Sequence, residues 1–157
     1  MDGSDVTHVK DVLGHFLSGV VIVSAQTESG PAGFTCQAFG SFSLEPPSVF
    51  FAAARSSPSW GRIRGAAVVA ISVLSVDQSD LARLFATTGV DKFAAVPWES
   101  GPHGSPLVTG AIAHFEGVVR SARDYGDHDV VVVDLSYAVA HPGQPLAYFR
   151  GAFRSLA

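Results

Sequence analysis

The residues best able to do chemistry lie in the segment Ala54-Arg55-Ser56-Ser57-Pro58-Ser59-Trp60. It reads as a helix start, with Ser57 as N-cap and Pro58 at the first helical position. A helix start leaves backbone N–H groups without intrahelical partners and carries partial positive charge. Three serine hydroxyls add donors and Arg55 adds a full charge, so a phosphate or pyrophosphate would satisfy the whole set. The competing reading is a capped surface helix whose serines serve only the backbone. The charge distribution favours looking here: residues 1–54 hold one basic and five acidic side chains and residues 55–157 nine of each, yet Arg55, Arg62 and Arg64 share a ten-residue stretch with no acid.

A second constellation runs from Gly33 through Thr35, Cys36, Gln37 and Ala38. Small residues let a flat ring approach the backbone, and Thr35 and Gln37 can read its polar edge. The alternative is a strand running into an irregular loop. Cys36 has no evident base beside it and reads as a small buried hydrophobe rather than a nucleophile. The six histidines (8, 15, 103, 114, 128 and 141) form no HxH or HExxH pattern, so no metal site is expected. His128 stands apart because it follows Gly126-Asp127 at the mouth of a hairpin. There it can face a cavity and hold an anionic or amide-bearing ligand, unless it is simply an exposed turn histidine.

The elements that must position these residues are mainly strands. Helical spacing of Val9, Val12, Leu13 and Phe16 predicts a helix capped by Ser4 or Asp5 and ended by Gly19. Apolar, β-branched runs predict strands over 20–25, 32–36, 49–53 and 68–74. Asp77-Gln78-Ser79-Asp80 opens another helix that turns Leu81, Leu84 and Phe85 inward, and residues 87–106 read as a long loop anchored by Trp98. Three long strands follow over 111–121, 128–139 and 147–153, the first two joined by a turn at 123–127. Many strands and few helices without βαβ alternation point to a single domain over 1–157 built as an antiparallel β-barrel, which would also remove exposed edges.

Composition excludes several classes. With 157 residues, 47% apolar and 15% charged, and a mean hydropathy of +0.29, the chain is no disordered polymer. A net charge of −4 argues against nonspecific binding to nucleic acid or an anionic membrane. One cysteine excludes an internal disulfide framework. The N-terminus lacks a secretory pattern and no apolar stretch approaches the roughly 20 residues of a spanning helix, so a cytoplasmic protein is expected.

Ordered along the chain are Leu13-Gly14-His15-Phe16-Leu17-Ser18-Gly19-Val20, Gly33-Phe34-Thr35, Ser41-Phe42-Ser43-Leu44-Glu45-Pro46-Pro47, Ala54-Arg55-Ser56-Ser57 with Trp60, Asp91-Lys92-Phe93, Trp98, Gly126-Asp127-His128 and Pro145-Leu146-Ala147-Tyr148-Phe149-Arg150-Gly151. In this order and spacing the chain resembles the small flavin reductases of two-component flavin-dependent monooxygenases, which have the FMN-binding split-barrel fold. The resemblance implies a homodimer with FAD or FMN in a groove between subunits, reduced by NADH or NADPH without a metal, and a monooxygenase component that receives the reduced flavin. It implies that Gly33, Thr35, Cys36, Gln37 and Ala38 line the flavin ring, and that Ala54, Arg55, Ser56, Ser57 and Ser59 hold its phosphate. Lys92 and Phe93 would complete the cofactor site, and His128, Tyr148, Arg150 and Gly151 would lie on the nicotinamide side, His128 holding nicotinamide or tuning charge on the reduced flavin. Two alternatives remain: a flavin-binding protein without reductase activity, or a tight flavoprotein reducing another acceptor. The chain departs from the family pattern at Asp134, where a glycine is common, and at Gly117, where a cysteine or bulky residue is usual. A carboxylate at 134 turned into the groove would oppose a flavin phosphate.

Overall fold

The computed structural model describes residues 5–156. Asp5 caps α1 (Val6–Leu13), its carboxylate accepting from the His8 N–H at 3.2 Å; Ser4, the other expected cap, lies outside the described residues. The helix stops at Gly14 rather than Gly19, because Gly14 closes it with an N–H donated to the Lys10 carbonyl. Gly19 belongs instead to β1 (Ser18–Gly19). None of the helix is buried, and Val6, Leu13 and Phe16 stand more than half exposed.

From there the chain builds β2 (Val21–Thr27), β3 (Gly30–Cys36), β4 (Phe39–Leu44), β5 (Pro47–Ala54), α2 (Pro58–Ile63), β6 (Val68–Val73), a 3-10 turn (Val76–Gln78) and α3 (Ser79–Phe85). It continues with β7 (Trp98–Ser100), β8 (Pro106–Val108), β9 (Ala113–Tyr125), β10 (His128–Ala140), β11 (Ala147–Phe149) and β12 (Ala152–Arg154). The Ser57 cap is as expected: its hydroxyl accepts from the Trp60 N–H at 3.2 Å, with Pro58 in the first turn.

Three expectations need correction. The segment after Cys36 is not irregular, since β4 pairs with β5 across a turn at Glu45–Pro46. The 87–106 loop contains β7, which pairs with β8. The last expected strand is two short strands, because Arg150 (φ 52°) and Gly151 (φ 76°) both take left-handed conformations and reverse the chain.

Seven antiparallel strands form one sheet in the order β3-β2-β6-β9-β10-β5-β4. The barrel expected from the sequence is not closed: β3 and β4 remain the two ends of the hydrogen-bonded ladder. The sheet nonetheless curls around one core. Phe34 on β3 and Phe51 on β5 lie 6.2 Å apart, and both meet the Trp60 ring edge-on at 6.4 and 5.6 Å. Near the gap the Cys36 thiol touches the Ala38 and Ala52 carbonyls at 3.5 Å, and the Ala52 N–H donates to Ala38. A second core under α3 holds Val20, Ile22, Leu74, Phe85, Phe93 and Val108.

Trp60 also fixes α2 against the sheet. Its indole N–H donates to Asp129 Oδ2 at 2.8 Å, and Arg64 pairs with the same oxygen at 3.3 Å. The Trp60 bond, followed by a hydrogen bond with Asp124 and then the Arg64 and Arg55 charges, holds the buried Asp129 carboxyl below its ordinary range, although burial works the other way. Its contribution is therefore present above the ordinary carboxylate range and fades as pH falls through the lowered value. Trp60→Ala removes the largest buried side chain and should cost about 3–5 kcal/mol in urea unfolding; a loss under about 1 kcal/mol would mean that α2 does not depend on it.

Candidate functional site

The site forms where strands end. The β5–β10 ladder sets Ala54 opposite His128 and Ala52 opposite Val130, so the last residue of β5 and the first of β10 lie side by side. The end of β3 arrives at the same place through Thr35 and Cys36, and the last turn of α3 closes the far wall. Between them lies a cleft of about 390 Å³, lined by Thr35, Cys36, Gln37, Ala38, Ala54, Ser56, Ser57, Ser59, Lys92 and His128. Thus ten of the residues expected at a cofactor site share one hollow. No carboxylate is among its lining residues.

A second hollow joins Tyr148, Gly151 and Phe153 to Thr35, Gln37 and Ala86. Thr35, Gln37 and Ala86 line both hollows, so the two are parts of one groove. His128 lines the first hollow and Tyr148 the second.

Four expected residues do not line this cleft, although two of them, Gly33 and Phe93, line a neighbouring hollow that shares Ser59 and Lys92 with it. Arg55 turns away from the cleft: its guanidinium donates to the Gly126 carbonyl and pairs with Asp124 at 3.2 Å, fastening the β9–β10 turn. Gly33 faces helix α3, where a Cβ would come within 3.1 Å of the Phe85 ring and of the Val23 carbonyl. Phe93 is buried against Phe85 and Trp98, with ring centroids 5.0 and 5.7 Å away. Arg150 is exposed, and its N–H donates to the Gly14 carbonyl at 2.8 Å.

Lys92 supplies the cation at the cleft. Its ammonium donates to the Phe85 carbonyl at 2.8 Å, the Gly33 carbonyl at 3.0 Å and Ser59 Oγ at 3.1 Å. Burial, and after it the Arg62 charge, lowers its pKa from the ordinary lysine value. Because Ser59 accepts from Lys92, its own hydroxyl proton remains available to donate. Thr35 donates to the Ala82 carbonyl at 2.6 Å, so towards the cleft its oxygen can only accept. His128 Nδ1 lies 2.7 Å from Asp127 Oδ1, and that bond, with the imidazole charge, lowers the Asp127 pKa. An ionised carboxylate only accepts, so Nδ1 carries the proton of that bond.

The residues fit a phosphorylated, flat, aromatic cofactor. Ala38, Ala52 and Ala54 leave the floor low, and the three serines cluster at one end beside a cation. The lining that sequence reasoning missed (Ala52, Phe85, Ala86 and Thr88) comes from positions whose types carry no chemical signal; only the end of the helical pattern at Phe85 pointed to the wall that α3 provides. Among the described residues no three His, Cys, Asp or Glu side chains gather as for a metal ion, and no helix is long and apolar enough to cross a membrane.

Comparison with known proteins decides the family. Residues 13–157 match the model of the flavin reductase like domain. The chain belongs to the flavin reductase like family. It is 35% identical over 153 residues to the flavin-dependent monooxygenase reductase subunit HsaB of Rhodococcus jostii, covering 97% of this chain and 78% of that protein. It is 37% identical over 151 residues to the FMN reductase (NADH) SmoA of Agrobacterium fabrum, covering 96% and 86%. Among solved structures, the NADH:FAD oxidoreductase SgcE6 of Streptomyces globisporus superposes with a TM-score of 0.95 at 32% identity, over 100% of this chain and 96% of that one.

Against the flavin reductase pattern, the two departures lie away from the cleft. Asp134 pairs with Arg120 at 3.2 Å instead of facing a phosphate. A Cβ at Gly117 would collide with the Asp134 carbonyl and the Val133 side chain, so the bulged β9–β10 pairing requires glycine there. Cys36 lines the cleft, but burial pushes its thiol up to about 11. At about pH 8 it stays protonated, so iodoacetamide should label the native chain at least ~100-fold more slowly than the urea-unfolded chain; equal rates would show an open thiol.

Proposed function

We propose that this chain is an NAD(P)H:flavin oxidoreductase that reduces FAD or FMN by hydride transfer and supplies the reduced flavin to a partner monooxygenase. The observation that carries this reading is the single groove with serine hydroxyls and Lys92 at one end, small residues along its floor and the Tyr148–Gly151 turn at the other. The relatives support it by name: HsaB is a monooxygenase reductase subunit, SmoA an FMN reductase using NADH, and SgcE6 an NADH:FAD oxidoreductase. When bound, the flavin and the dihydronicotinamide supply the hydride acceptor and donor.

The chain's own residues bind, orient and shield. Ser56, Ser57 and Ser59 donate to the phosphate, and Lys92 sets a positive potential behind them. Ala38, Ala52 and Ala54 leave room for the planar ring, and Gln37, exposed at the rim, reads its polar edge. Arg55 and Asp124 hold the turn that presents His128. Asp127 orients that imidazole through Nδ1 and leaves Nε2 for the nicotinamide amide. Gln37, Ala38 and Ser56 are exposed, which favours flavin that exchanges over flavin held permanently.

In the same reading the curled sheet is one FMN-binding split-barrel domain, completed by a second copy. Val6, Leu13, Phe16, Phe42 and Leu44 are all more than 60% exposed, apolar surface that a second copy would cover. Light scattering should give the dimer mass, and a monomer at working concentration would remove the shared groove.

Steady-state oxidation of NADH and NADPH with added riboflavin, FMN and FAD tests the activity. Turnover should rise with free flavin, and His128→Ala should lower kcat about tenfold, ~1.4 kcal/mol of barrier, with the flavin Kd within about twofold of wild type. Flavin binding without nicotinamide oxidation would reduce the chain to a binding protein.

A further inference from the structure

The groove does not stop at the serine cluster. Ser59 and Lys92 also line a neighbouring hollow of about 350 Å³ that contains Ser29, Asp91 and Arg62. Ser29 and Arg62 in turn line a third hollow of about 410 Å³, bounded by Glu28 and Gly65. Three hollows thus follow one another, each sharing two residues with the next.

Two cations flank the middle hollow, and neither forms an ion pair among the described residues. Arg62 Nη2 donates to Ser29 Oγ at 3.0 Å and Thr27 Oγ1 at 3.4 Å, both neutral hydroxyls. Lys92 donates only to two carbonyls and Ser59. The two charges repel one another, and after burial this repulsion is the second cause of the lowered Lys92 pKa. An anion between them would relieve that repulsion and receive hydrogen bonds from the Arg62 guanidinium and from the hydroxyls of Ser29 and Ser59. Asp91 is the only carboxylate lining the middle hollow.

Resting on the flavin reductase reading, we infer that the hollow between Ser59 and Arg62 is a second phosphate subsite, filled by the distal phosphoryl group of a flavin dinucleotide. A mononucleotide ends at its one phosphate, which the serine cluster holds. Only a dinucleotide has a further phosphate to place at Arg62 and a nucleoside to continue into the third hollow. The Glu28 carboxylate there accepts hydrogen bonds, as ribose hydroxyls or an exocyclic amine require, and Gly65 presents no side chain to a flat base. Arg62 therefore selects FAD over FMN.

Titration of the wild-type chain, Arg62→Ala and Arg62→Lys with FAD and with FMN tests this, alongside KM values for NADH and NADPH. Arg62 is exposed on α2, and circular dichroism will confirm that each variant is folded. Arg62→Ala should raise the Kd for FAD about tenfold and leave that for FMN within about twofold, with Arg62→Lys in between. Equal weakening for both flavins, or no change for FAD, overturns the inference. A defect confined to the KM of NADPH also overturns it and gives the hollow to the nicotinamide nucleotide. A wild-type chain that binds neither flavin overturns the functional reading and the subsite with it, whereas FMN binding with an indifferent Arg62 overturns the subsite alone.

Discussion

One ammonium group ties the site together. Lys92 follows α3 on a loop whose next residue, Phe93, is locked between Phe85 and Trp98. From there its three protons reach β3 at Gly33, the end of α3 at Phe85 and the start of α2 at Ser59. Withdrawing an ammonium from water is costly, and the lowered pKa is the sign of that cost. It is tolerated because every proton has an acceptor and because a cation suits the carbonyl end of a helix. Three elements remote in sequence thereby converge on one charge. The groove is the space left among them.

The electrostatics of the surroundings follow from the same economy. The chain is acidic overall, yet three carboxylates around the His128 end of the groove are engaged: Asp124 with Arg55, Asp127 with His128, Asp129 with Trp60 and Arg64, while Asp91 lines the neighbouring hollow. Farther off, Asp134 is held by Arg120. An anionic ligand in the cleft would thus meet the Lys92 potential with these three negative groups occupied locally rather than removed from the sequence.

Much of this was legible from residue types where the rules are local. The Ser57-Pro58 helix start, the apolar strands and the prominence of His128 all rest on neighbours within a few positions, and all appear where they were expected. What was not legible depended on distant partners. Arg55 has the chemistry of a phosphate ligand, but Asp124 and Gly126 on a turn some seventy positions away claim it. β4 was hidden because its glycine and serines resemble a loop, and only pairing with β5 makes them a strand. The final hairpin was hidden because an arginine at positive φ gives no signal of its own, leaving Gly151 as the one cue. Gly33 carried a different message from the one read in it. Its missing side chain makes room for Phe85, and the flat floor comes from alanines instead.

The way Lys92 is used also explains how such a site can hold an anion and still release it. A lysine aimed at a phosphate would make charge-assisted bonds roughly twice as strong as neutral ones. Here all three protons are already spent on the protein, so the ligand receives only the field of the charge and the hydroxyl of Ser59. Neutral hydroxyl contacts are each worth about 0.5–1.5 kcal/mol net. In the proposed reading a cluster of three serines would then give a grip of a few kcal/mol for the phosphate, enough to orient a ring and weak enough to let it go. A reductase that hands its product to a second protein, as proposed, would need that combination, and here it would come from a cation committed to the fold before any ligand arrives.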